Sequence, residues 1–121
     1  GGLGGIAAVL SACSSGLKVC LSEETSWLGG QLSAQGVSAL DENKYVEKSG
    51  ATASYQALRK AIRQHYYNMG ARAGKARFEP ELDPGNCWVS RLAFEPELAV
   101  RIIDSLLNEY CTDGRLKIFK R

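Results

Sequence analysis

Residues 1–23 read GGLGGIAAVLSACSSGLKVCLSE, and the order of residue types in this stretch decides the fold. Four of the first five residues are glycine. From Gly4 to Ser15 the chain is apolar almost all round, with Ile6, Val9, Leu10 and Cys13 among small alanines. That pattern suits a short helix buried against a sheet. Gly16 then ends the helix, because glycine takes the left-handed conformation without steric cost. Leu17 to Ser22 follows as a strand of the parallel kind buried on both faces, rich in Val19, Cys20 and Leu21. The opening therefore predicts glycine turn, helix, tight turn and strand, the start of an α/β chain with a partial Rossmann-like parallel sheet.

Outward from this stretch, residues 23 to 50 lack periodicity and carry Gly29, Gly30, Gly36 and Gly50, which predicts a long loop system with one short helix. An amphipathic packing helix is expected over Ser54 to Met69, with Tyr55, Leu58, Ile62, Tyr66 and Met69 on its apolar face and Arg59, Arg63 and Gln64 elsewhere. Asp83-Pro84-Gly85-Asn86 reads as a turn in which proline fixes one dihedral and Gly85 supplies the positive one. A second long helix is expected from Pro96, with Leu98, Ile102, Leu106 and Tyr110 on its apolar face. Gly114 then precedes a strand at Leu116 to Phe119. The segment Phe-Glu-Pro-Glu-Leu occurs at Phe78 and again at Phe94, with dissimilar flanks, and is read as coincidence rather than a repeat.

Composition narrows the function classes. A chain of 121 residues with 45% hydrophobic residues buries a modest core and fits one domain at most. The net charge of +2 comes from mixed charges without a long basic run, so neither nucleic acid nor an anionic membrane is expected as a partner. No apolar stretch approaches ~18 residues, so no membrane span is expected and a cytoplasmic location is the default. Cys13, Cys20, Cys87 and Cys111 are widely spaced and are read as reduced packing residues. Without a Cys-x-x-Cys pair or a Cys/His cluster, no metal site is expected.

The chemistry lies in the opening glycines. A dinucleotide site needs a strand, a glycine-rich turn, a helix whose N-terminus faces the pyrophosphate, and an acid at the end of the next strand. If Gly2 and Gly5 are the second and third glycines of G-x-G-x-x-G, the first lies one residue before Gly1. The chain is thus expected to begin inside its own phosphate motif, to be open at both ends, and to hold a dinucleotide only weakly by itself. Gly2 would let backbone approach the diphosphate. Gly5 would let the helix pack closely on the strand, and is expected to tolerate no side chain. Free N–H groups from Leu3 to Ile6 would face the anion. Eighteen residues after Gly5 stands Glu23, at a strand end, where a carboxylate accepts hydrogen bonds from ribose hydroxyls. That carboxylate disfavours the 2′-phosphate of NADP and leaves FAD or NAD. The pair Gly29-Gly30, followed by Gln31, permits close approach of backbone to a cofactor. Two alternatives stay open at this point, an S-adenosylmethionine-dependent methyltransferase and a non-catalytic nucleotide-binding module.

Gly1 to Ala8, the strand ending in Glu23, Trp27-Leu28-Gly29-Gly30-Gln31 and Gly36-Val37-Ser38-Ala39-Leu40-Asp41-Glu42 together resemble the FAD-dependent oxidoreductase family, flavoproteins with a glutathione-reductase-type Rossmann domain. Trp88 to Pro96 is similar to a later piece of the same group. The resemblance implies FAD as cofactor, with Gly2, Leu3, Gly4 and Gly5 near its pyrophosphate and Glu23 on its adenosine ribose. Gly29, Gly30 and Gln31 would lie along the cofactor toward the flavin. It implies transfer of electrons or hydride from a small-molecule substrate, although the chain by itself is expected to be inactive. Close cysteine pairs are absent, which argues against a dithiol-reductase reaction. The expected organisation is residues 1–45 as the N-terminal part of the FAD-binding domain, 46–93 as a helical and loop insertion, and 94–121 as a helix and strand returning to that domain.

Other residues read more plainly. His65, the single histidine, has no visible base or metal partner and is taken as a surface or packing residue. Trp27 and Trp88 are expected to pack. Ser90 and Arg91 are given no role in binding. No catalytic acid or base is named, and the substrate and oligomeric state are left open.

Overall fold

The computed structural model describes residues 1–72 and 82–121. In chain order the elements are α1 (Leu3–Ser14), β1 (Val19–Glu23), a 3-10 turn (Gly30–Leu32), α2 (Ala53–Arg72), α3 (Pro96–Thr112) and β2 (Leu116–Lys120). The fold is mixed α/β with parallel strands, as a partial Rossmann-like domain requires. The chain divides into two units, Gly1–Val37 with Pro96–Arg121, and Ser38–Glu95. No helix among the described residues is long and apolar enough to cross a membrane. The first copy of Phe-Glu-Pro-Glu-Leu falls mostly on residues 78–81, outside those described.

In the first unit β1 and β2 pair in parallel, with Val19 opposite Leu116 and Glu23 opposite Lys120. Gly16, at φ +82°, and Gly114, at φ +79°, are the left-handed residues that end α1 and α3 ahead of these strands. The α1 helix buries one stripe, Ile6, Val9 and Cys13, while Ala7 and Ala8 are exposed, so burial all round does not hold. Burial of β1 on both faces fails likewise. Leu21 and Leu116 lie on a covered face, but Cys20 and Ser22 point to the opposite, exposed one. All four cysteines are free, and only Cys13 is buried; Cys20 and Cys111 are exposed, because each stands on the outer side of its element. The α3 stripe is also rotated from the expected one. Ala99, Ile103 and Leu107 are buried at helical spacing together with Leu98 and Val100, whereas Leu106 is exposed.

An arginine fastens the C-terminal end of α1. Its last turn holds no basic residue, yet the Arg115 Nη1 donates to the Cys13 carbonyl at 2.7 Å. A cation at that end complements the helix dipole and gives a second donor to a carbonyl that also accepts from Gly16 N at 3.0 Å. The same guanidinium lies 4.6 Å from the centre of the Tyr110 ring and pairs with Asp113.

The second unit is organised by charge as well as by apolar packing. Leu58 and Ile62 of α2 are buried as the periodicity predicts, but Met69 is exposed. Arg59, expected on the polar side, is 1% exposed and counts among the largest fully buried side chains. It donates from Nη1 to Glu42 and from Nη2 to Glu47. Glu42 also accepts from the Tyr55 hydroxyl at 2.7 Å and the Ser90 hydroxyl at 3.1 Å. Arg63 holds Glu47 through two nitrogens, at 2.6 and 2.9 Å, and donates to the Leu82 and Arg91 carbonyls. These hydrogen bonds from Arg63, with the nearby positive charges, keep the Glu47 carboxyl below the usual carboxylate range. Burial, followed by the Glu42 contact, raises the Tyr55 phenol well above its ordinary value. In the Asp83–Asn86 turn the Asn86 amide donates to the Asp83 carbonyl, and the positive φ belongs to Asn86, at +46°, not to Gly85. Gly85 serves space instead, since a Cβ there would stand 2.5 Å from that of Ala93. Trp88 is 95% exposed and Trp27 38%, so neither packs as expected.

Candidate dinucleotide site at the start of the first helix

Gly2 is the N-cap of α1, with extended backbone and no side-chain cap, and its carbonyl accepts from Ile6 N at 3.0 Å. Leu3, Gly4 and Gly5 form the first turn, whose N–H groups lie beyond the reach of intrahelical acceptors. No acidic side chain occupies that turn. A Cβ on Gly2 or Gly4 would have nothing within 4 Å, so the side-chain positions at the turn are open. Unpaired donors, a positive dipole end and open space suit an anion.

Against this turn lies the second glycine segment. The Gly29 amide donates to the Gly1 carbonyl at 2.9 Å, and Gly2 and Gly29 form a parallel bridge. Gly29 has φ +122° and Gly30 φ +55°, conformations that favour glycine. A Cβ on Gly30 would lie 3.1 Å from Gly2 Cα, tighter than ordinary contact. Gln31 follows in the 3-10 turn and is half-buried. Gly2, Gly29 and Gly30 are thus brought together.

Glu23 stands at the end of β1, as its spacing predicts. Its Oε1 accepts from Thr25 N at 2.8 Å, and its Oε2 lies 3.5 Å from the Gly1 amine nitrogen. The Thr25 N–H, above all, lowers the carboxyl's pKa below the ordinary value, which keeps Glu23 an ionised acceptor. Two residues at this place escaped the sequence reading. Gly1 sits directly under Glu23, where any Cβ would overlap the carboxylate and approach Leu28 Cδ2 to 2.8 Å. Thr25 orients the acid, and only its position two residues after Glu23 hinted at that.

Gly5 differs from expectation. A Cβ there would meet Leu21 Cδ1 at 3.6 Å, ordinary van der Waals contact, so the helix and strand leave room for a methyl group. Gly5→Ala is expected to keep the fold and to gain up to about 1 kcal/mol from better helix propensity. Thermal unfolding checks this, and a marked fall in Tm counts against it. Ser90 and Arg91 lie in the other unit, Ser90 on Glu42 and the Arg91 carbonyl on Arg63.

Parallel strands joined to a glycine-lined helix N-terminus place the chain in the α/β class, consistent with a partial Rossmann-like domain. The family model for FAD dependent oxidoreductases matches residues 1–118, and the chain belongs to that family. No curated protein and no solved structure matches it. Nothing in these comparisons supports the methyltransferase or the non-catalytic module.

Proposed function

We propose that this chain binds FAD in the manner of a glutathione-reductase-type Rossmann domain, in an oxidoreductase acting on a small-molecule substrate. Gly2, Leu3, Gly4 and Gly5 present the α1 amides to the pyrophosphate. Glu23 accepts hydrogen bonds from the adenosine ribose, and Gly29, Gly30 and Gln31 line the path toward the flavin. The carrying observation is the approach of Gly30 to Gly2 at the uncapped end of α1, with the ionised Glu23 beside it. When bound, a flavin supplies the redox chemistry, taking electrons or hydride at its ring. The residues of this chain bind and orient. None of them is assigned proton transfer.

The test is Glu23→Ala in the full-length protein, with FAD affinity read by calorimetric titration. A loss of about 1–3 kcal/mol is expected, the scale for hydrogen bonds to a charged group. Unchanged affinity would remove Glu23 from the site.

A further inference from the structure

We infer that Ser33 is a positioning residue for the pyrophosphate end of this site, an inference that rests on the FAD reading above. Ser33 is fully buried, and its hydroxyl donates to the Leu28 carbonyl at 2.5 Å. Its amide donates to the Gly30 carbonyl at 3.0 Å, and Leu32 N donates to Gly29 O at 3.1 Å. The hydroxyl therefore closes a tight loop around the two glycines.

That closure reaches the phosphate turn through one further hydrogen bond. Fixing the Leu28 carbonyl fixes the peptide that carries the Gly29 amide, and this amide holds the Gly1 carbonyl. Gly1 and Gly2 in turn set where α1 begins and where its free N–H groups point. Ser33 also occupies the volume that a side chain at Gly29 would need, since a Cβ there would stand 2.6 Å from Ser33 Oγ. Gly29 and Ser33 are thus two halves of one device: the glycine leaves the space, and the serine fills it with a donor. Ser33, buried behind the glycines, acts through them rather than on the ligand. Glu23, on β1, is held by a direct hydrogen bond from Thr25 N, while its approach to the Gly1 amine is longer, at 3.5 Å, so the ribose end depends on Ser33 less than the phosphate turn does.

The inference predicts a split between ligands. In the full-length protein, Ser33→Ala is expected to weaken ADP binding roughly tenfold, the effect of one buried hydrogen bond. Adenosine, which reaches Glu23 but carries no pyrophosphate, is expected to bind as it does to the unaltered protein. Equal ADP affinity in both proteins overturns the inference, and so does an equal loss for both ligands, which marks a general structural defect. Amide hydrogen exchange without ligand supplies an independent reading. Exchange at Gly29 is expected to speed up while that at Ile103 and Leu107 in α3 stays unchanged, and unaltered exchange at Gly29 also overturns the inference. If the unaltered protein fails to bind ADP, the FAD reading falls, and the exchange measurement still decides whether Ser33 holds the loop.

Discussion

Arg59→Ala is expected to cost about 3–5 kcal/mol and to unfold the Ser38–Glu95 unit, because it strands a buried carboxylate. Among the described residues Glu42 would keep the hydroxyls of Tyr55 and Ser90, while Glu47 would retain Arg63. The guanidinium's own satisfaction is incomplete, as its Nε is buried without a hydrogen-bond partner. Removing both ends of the pair should therefore be milder than removing one: Arg59→Met combined with Glu42→Gln is expected to recover part of the loss. Chemical denaturation of the single and double variants decides this. A single-variant loss below about 1 kcal/mol would show that the network contributes little. The Glu47 share depends on acidity. Since its folded pKa is depressed, that share is complete above the ordinary carboxylate range and is lost as the pH falls through the depressed value.

Gly29→Ala should be strongly damaging to the first unit. At φ +122° an L-residue is strained by about 1–3 kcal/mol. The new methyl would also stand 2.6 Å from Ser33 Oγ and 3.0 Å from Ile103 Cδ1, both in the core, and such overpacking adds about 1–3 kcal/mol. The expected result is loss of the bridge to Gly2 and of FAD retention together. A purified variant that keeps its flavin absorbance and Tm would show that the loop adapts. Gly5→Ala makes the natural control for Tm, because its Cβ finds room.

The contrast between these glycines shows what the sequence discloses. The α1 helix, the β1 strand and the place of Glu23 were legible, since each rests on local periodicity and on a spacing within a couple of dozen residues. Gly5 and Gly29 look alike as letters. Only the neighbours brought in by folding show that the first has a flexible leucine beyond it and the second a buried serine. Arg59 was read as a polar-face residue because its burial depends on Glu42 and Glu47, which a helical pattern does not register. In α3 two interleaved apolar stripes were present, and the core chose the one through Ile103 rather than the one through Leu106. The exposure of Trp88 had no local sign at all.

The parallel pairing of β1 with β2 has a kinetic consequence. Val19 meets Leu116 only after the whole of the Ser38–Glu95 unit has been synthesised between them. Contacts so distant along the chain are slow to form, because the closure entropy falls due before the sheet rewards it. Yet that entropy grows only slowly with length, by about 0.6 kcal/mol for each doubling of a flexible connection. The length of the connection between Val37 and Pro96 therefore weighs little in closure entropy, whereas β1 stays without its parallel partner until β2 has been made.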